Sequence, residues 1–198
     1  MSQLTVETLK LFGGHVALDF TNTVDSRGVC YGPDVLHSFD DLVTWGVRLG
    51  VLEAGEAMAL RHLPADRGAT ALDRAKALRE ALYRIFAASA SPDRSDLDLL
   101  QRELCAAQES RTLIRNVTGY TWRWHENNPD TLTHRIAIPA ADLLTSSALG
   151  RVRVCPGDNC SWLFLDSSRA GRRIWCSEQT CGTRNRVRRW RAHRQDLA

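Results

Sequence analysis

Four of the six cysteines in this chain sit in one stretch, CPGDNCSWLFLDSSRAGRRIWCSEQTCG, with spacing that suits metal chemistry. Cys155/Cys160 and Cys176/Cys181 are two pairs with four residues inside each pair and fifteen between them. Thiolates are soft, deprotonated donors, and two on one tight loop present half of a tetrahedral site, for which Zn2+ is the expected occupant. The alternative is four buried thiols or two disulfides, but disulfides belong to oxidising compartments and nothing in the sequence points to one. Four sulfur ligands close the coordination sphere, so the expected zinc is structural and leaves no position for a catalytic water. The run of turn formers inside the first pair, Pro156, Gly157, Asp158 and Asn159, reads as a knuckle.

The elements around the pairs follow from the same stretch. Trp162–Leu165 and Arg173–Trp175 flank a polar loop and are expected to pair as a short hairpin. After Gly182 the run TRNRVRRWRAHRQ lacks Gly and Pro and reads as a helix. On it Arg184, Arg188 and Arg191 share one face, and Val187 and Trp190 form another that should pack on the hairpin. With Arg186, Arg189 and Arg194 they make six arginines in eleven residues and no carboxylate. A charge run can be merely a solvated face. Arginine alone, with a planar fork of donors and no relieving acid, points instead to a polyanion such as duplex DNA.

The pattern of a cysteine pair, W-L-F-L-D-S-S-R, R-R-I-W-C-S and C-G-T-R resembles the CGNR-type zinc finger of bacterial proteins. The text LDFTNTVDSRG near the start is similar to the opening of the ABATE domain that precedes such fingers. This resemblance implies a stress-response transcription regulator whose N-terminal part senses a signal or mediates assembly. The chain departs from the finger pattern at one position, where Thr183 replaces the family Asn and the nearest Asn is Asn185.

Charge divides the chain in the same place. Residues 151–198 hold eleven Arg and no Lys against Asp158, Asp166, Glu178 and Asp196, a net +7, whereas residues 1–150 carry −4 within the overall +3. Only the basic part should attract a polyanion. A length of 198 residues with 43% hydrophobic content allows one ordinary domain, 1–150, and a small finger, 151–198. No run is long and apolar enough to span a membrane, and MSQLTVETLK lacks the apolar block of a signal peptide. A cytoplasmic location is expected, with Cys30 and Cys105 as solitary, buried thiols.

The expected fold is mainly α, with one short N-terminal strand, one hairpin and a treble-clef-like finger. Residues 1–10 read as a loosely tied arm, and Val16, Leu18 and Phe20 alternate as in a half-buried strand. Ser38-Phe39-Asp40-Asp41 resembles a capping box that opens a helix running to Gly50, and a second helix covers 53–63. Leu72, Ala75, Leu78, Leu82, Ile85 and Phe86 stripe a long helix over 69–90, and Ser95 caps the next. Arg111 to His125 alternates around Thr118-Gly119 as a hairpin whose Tyr120, Trp122 and Trp124 could stack on bases but are expected to cover the core, since charged neighbours are sparse. Thr131 to Ser147 reads as a helix interrupted or kinked at Pro139.

No catalytic constellation is spaced along the chain, so no enzymatic activity is expected. The leading expectation is a zinc-containing DNA-binding regulator that uses a homodimer for specificity. The alternatives are an RNA- or protein-binding scaffold, or an enzyme or small-molecule-binding protein. The last would place an effector or substrate pocket around His15, Asp19, Asn22 and Trp45.

Overall fold

The computed structural model describes residues 4–88 and 91–195. Among the described residues there are seven α-helices: α1 Val16–Thr21, α2 Phe39–Arg48, α3 Ala54–Arg61, α4 Ala65–Ala87, α5 Arg94–Glu109, α6 Thr131–Thr145 and α7 Thr183–Gln195. Two antiparallel hairpins, β1 Arg111–Asn116 with β2 Gly119–Trp124 and β3 Val152–Val154 with β4 Leu163–Leu165, complete it. The mainly helical class holds. Among the described residues no helix is long and apolar enough to cross a membrane.

Local chemistry explains most boundaries. The Ser38 hydroxyl accepts the Asp41 N–H, and the Asp41 carboxylate accepts the Ser38 N–H, so the capping box is formed and α2 stops short of Gly50, whose φ is +68°. The apolar stripe of α4 is buried from Leu72 to Phe86. That helix starts earlier than expected, at Ala65 after Pro64, and ends at Ala87; residue 90, its expected end, lies outside the described residues. Asp93, not Ser95, caps α5, its carboxylate accepting the Ser95 N–H. Pro139 sits inside an otherwise continuous α6.

Three expectations are corrected. The stretch Val16–Thr21 is a helix, not a strand, because residues 17–21 are all buried and the apparent alternation of apolar and polar side chains does not distinguish two faces. His15 caps this helix by accepting the Ala17 N–H through its ring nitrogen, and the Thr21 and Thr23 hydroxyls donate back to the Leu18 and Phe20 carbonyls. The N-terminal arm is not loose from residue 4 onward, since Val6 and Leu9 are buried in the core. Cys30 and Cys105 are exposed rather than buried.

The core is continuous from one end of the chain to the other. Leu18, Phe20, Trp45, Leu78, Leu82, Leu132 and Ile136 pack in the same cluster as Trp162, Leu163 and Phe164 of the C-terminal segment. Burial on that scale, at about 25 cal/mol per Å² of apolar surface, is the main stabilising term, and here it is shared between the two segments.

Candidate metal centre and arginine helix

The β3–β4 hairpin is where the cysteine site begins. Its register pairs Val152 with Leu165, Arg153 with Phe164 and Val154 with Leu163, and the Cys155 N–H continues the ladder to the Trp162 carbonyl at 2.8 Å. The knuckle is therefore the turn of this hairpin. This corrects the expected pairing of Trp162–Leu165 with Arg173–Trp175, which do not form a strand. The 166–175 segment is instead a loop organised by buried Asp166, which accepts the Ser168 N–H and hydroxyl and the Arg173 N–H.

The knuckle is tight enough to need its glycine: a Cβ on Gly157 would lie 2.9 Å from Cys181 Sγ. Asn159 and Ser161 adopt positive φ, 54° and 53°, which turn the chain through Cys160 and back into β4. The second pair is delivered by a wide turn over Glu178–Gly182, capped by the Ser177 hydroxyl, which accepts the Thr180 N–H. The Cys176 N–H points to Cys155 Sγ at 3.4 Å.

The four sulfurs fit a tetrahedral ion. All lie within 4.8 Å of one another, and Cys176 Sγ is 3.7 Å from both Cys160 Sγ and Cys181 Sγ. A tetrahedron with Zn–S bonds of about 2.3 Å has S···S edges of about 3.8 Å. Three of the sulfurs are buried and Cys160 is half-buried. Hydrogen bonds from the Cys160 and Cys176 thiols hold Cys155 well below the usual thiol range, while sharing those bonds pushes Cys160 and Cys176 up. A divalent cation lets all four ionise, and one structural Zn2+ is the ion this donor set takes.

Of the residues named as a possible pocket, Asn22 and Asp19 join the two segments. Asn22 has no exposed surface; its amide donates to the Leu163 carbonyl at 2.8 Å and accepts the Leu163 N–H at 3.0 Å. Asp19 is buried and accepts the Gly13 N–H at 2.8 Å, and the Gly13 carbonyl in turn accepts the Leu165 N–H. Burial pushes the Asp19 carboxyl up to about 6. Trp45 is fully buried against Phe20, ring centroids 5.2 Å apart, and His15 is engaged as the α1 cap. Asp19, Asn22 and Trp45 thus lie inside the structure, and His15 is half-buried.

Other joints were invisible in the sequence. The Trp162 indole N–H donates to the Val24 carbonyl, the Arg27 N–H to the Cys160 carbonyl and the Tyr83 hydroxyl to the Ser161 carbonyl. The Arg173 guanidinium lies over the Phe164 ring and donates to the Phe12 and Cys176 carbonyls. The 24–34 loop that touches the knuckle is itself held to α4 by a bidentate Arg79–Asp34 pair and by Arg27–Glu80. The signal for the Asn22 joint was present as its place in LDFTNT, but no local pattern reveals a partner 141 residues away.

Helix α7 leaves this body after one turn. Cys181, Gly182 and Asn185 are buried, and every side chain from Arg186 to Arg194 is exposed. The expected packing of Val187 and Trp190 is corrected: they are 41% and 58% exposed, and Asn185 is the inward residue. Thr183 donates to the Glu178 carbonyl and accepts from Arg186, so the residue standing in the family Asn position is used locally. Arg186 pairs with Glu178 and Arg188 with Asp158, both acids of the finger itself. Among the described residues Arg184, Arg189, Arg191 and Arg194 have no carboxylate at ion-pair distance.

A helical body carrying a four-cysteine zinc finger at its C-terminal end defines the class of protein. Residues 14–147 match the ABATE family, described as "Putative stress-induced transcription regulator", and residues 151–194 match the CGNR zinc finger. The chain belongs to the ABATE family and ends in a CGNR zinc finger. No curated relative matches it.

Proposed function

We propose that the protein is a cytoplasmic, non-enzymatic regulator that binds duplex DNA through α7, with the zinc site fixing the angle at which that helix leaves the body. The observation that carries this reading is the projection of α7: its arginines from 186 to 194 are exposed, and among the described residues the carboxylates paired to them belong to the finger. With Arg186 and Arg188 paired to Glu178 and Asp158, the other four guanidinium groups on so short a rod still repel one another, and phosphates relieve that repulsion. Arginine also matches the guanine edge and the phosphate bidentately, and a helix is the right width for the major groove. Zinc would take no part in contacts to DNA; it holds Cys181 and with it the first turn of the helix. One short helix makes few contacts, so sequence specificity is expected to come from a homodimer on paired half-sites.

The test is binding of the zinc-loaded protein to duplex DNA as a function of salt. Each phosphate neutralised contributes a slope of about −0.9 in log affinity against log salt. Arg184→Ala and Arg191→Ala should each flatten the slope by about one unit. Salt-independent binding, or slopes unmoved by both substitutions, would remove the proposal.

A further inference from the structure

The β1–β2 hairpin contradicts the expectation that its aromatics cover the core. Its register pairs Arg111 with Trp124, Leu113 with Trp122 and Arg115 with Tyr120, so these six side chains share one face. On that face Tyr120 is 70% exposed, Trp122 47% and Leu113 52%. Only the root is anchored, where Arg135 lies over Trp124 and pairs with Glu56. From there the ribbon runs six residues a strand, about 20 Å, to a fully exposed Val117.

Exposed aromatic surface needs an occupant, and charge selects it. Residues 111–125 hold Arg111, Arg115 and Arg123 and no carboxylate; the acids that share a groove with Trp122 and Trp124 are Glu53, Glu126 and Glu56, the last of them paired with Arg135, and Tyr120 lies beyond that groove. A second copy of this chain seated hairpin to hairpin would bring like charges together, which disfavours self-association through this face. Trp122 and Tyr120 stand two residues apart on one strand, a spacing of about 7 Å that lets unstacked bases sit on or between the rings. The Arg111 guanidinium lies 4.1 Å from the Trp122 ring centroid and covers one face of that ring, which leaves its other face for a base and Arg115 beside Tyr120 for a phosphate. Ring faces for bases, flanked by guanidinium groups for the backbone, are the two requirements of single-strand binding.

We infer that this hairpin is a second nucleic-acid surface, which takes a single strand by stacking bases on Tyr120 and Trp122. It is separate from α7 and does not depend on that helix binding a duplex. The experiment uses the full zinc-loaded chain and labelled oligo-dT and oligo-U, read by fluorescence anisotropy, with duplex DNA and heparin as competitors. Tyr120→Ala and Trp122→Ala are each expected to weaken single-strand binding about tenfold, and Trp122→Phe to restore most of it. Duplex binding by α7 should be unchanged in these variants, and Arg191→Ala should weaken the duplex while sparing the single strand. A preference between the two oligonucleotides identifies DNA or RNA as the source of the strand. Zinc content and the thermal transition of each variant establish that the fold is kept. Single-strand affinity unmoved by both alanine variants overturns the inference. So does heparin competing as well as an oligonucleotide of equal charge, or a parental dimer that the hairpin variants dissociate.

Discussion

The two hairpins of this molecule have similar sequence signatures and opposite fates. Each carries large apolar side chains, aromatics and arginines, yet Leu163 and Phe164 of the continuously apolar β4 have no exposed surface while Tyr120 and Trp122 of the alternating β2 face solvent. The difference lies in what ties them down. The β3–β4 hairpin is held at its turn by the cysteine cluster and along its strand by Asn22 and Gly13, whereas β1–β2 is held at its root alone. Alternation in a sequence specifies a strand; whether either face is covered depends on residues far away in the chain.

The comparison can be broken most severely at the metal. Cys176→Ser should abolish tight zinc binding and destabilise the whole chain by several kcal/mol, on the order of 5, because the finger shares the core of the helical body. Elemental analysis and thermal unfolding check it. Next in size is Asn22→Ala, which strands the Leu163 N–H and carbonyl in the interior and should cost about 2–4 kcal/mol in denaturant unfolding.

Asp19 sharpens the comparison through pH. Its carboxyl is raised from 3.8 to about 6 by burial, so the native state binds a proton that the unfolded chain lacks between those values. The contribution of this group to stability is present below about pH 4 and is lost as pH rises through about 6. Asp19→Asn keeps the acceptor for Gly13 and cannot ionise. It should be more stable than the parent at pH 7.5 by about 1–3 kcal/mol, the difference closing toward pH 4. The smallest effect is expected at the exposed hairpin, where Trp122→Ala should change stability by less than about 1 kcal/mol. A larger loss there would mean that the hairpin is covered in solution.

Much of this architecture was legible before any coordinates. The cysteine pairs named their metal through spacing alone, the Ser38–Asp41 box marked the start of α2, and the stripe from Leu72 to Phe86 marked the buried face of α4. Helix α1 was not legible because five of its six residues, 17–21, are buried and no exposed polar face sets a period. The partner of β4 was misread because Arg173–Trp175 looks strand-like, while β3 is only three residues long and lies before the knuckle. The roles of Asp19 and Asn22 were hidden for a third reason. A buried amide that completes a distant strand has the same local sequence as one that closes a turn.

The claim on which the rest depends is that zinc, finger and helical body form one cooperative unit from which α7 projects. Scanning calorimetry of the full chain, with zinc and after chelation, tests it directly. A single transition that chelation shifts or abolishes as a whole is the predicted result. A body transition that stays in place while a separate, zinc-dependent transition disappears would contradict it.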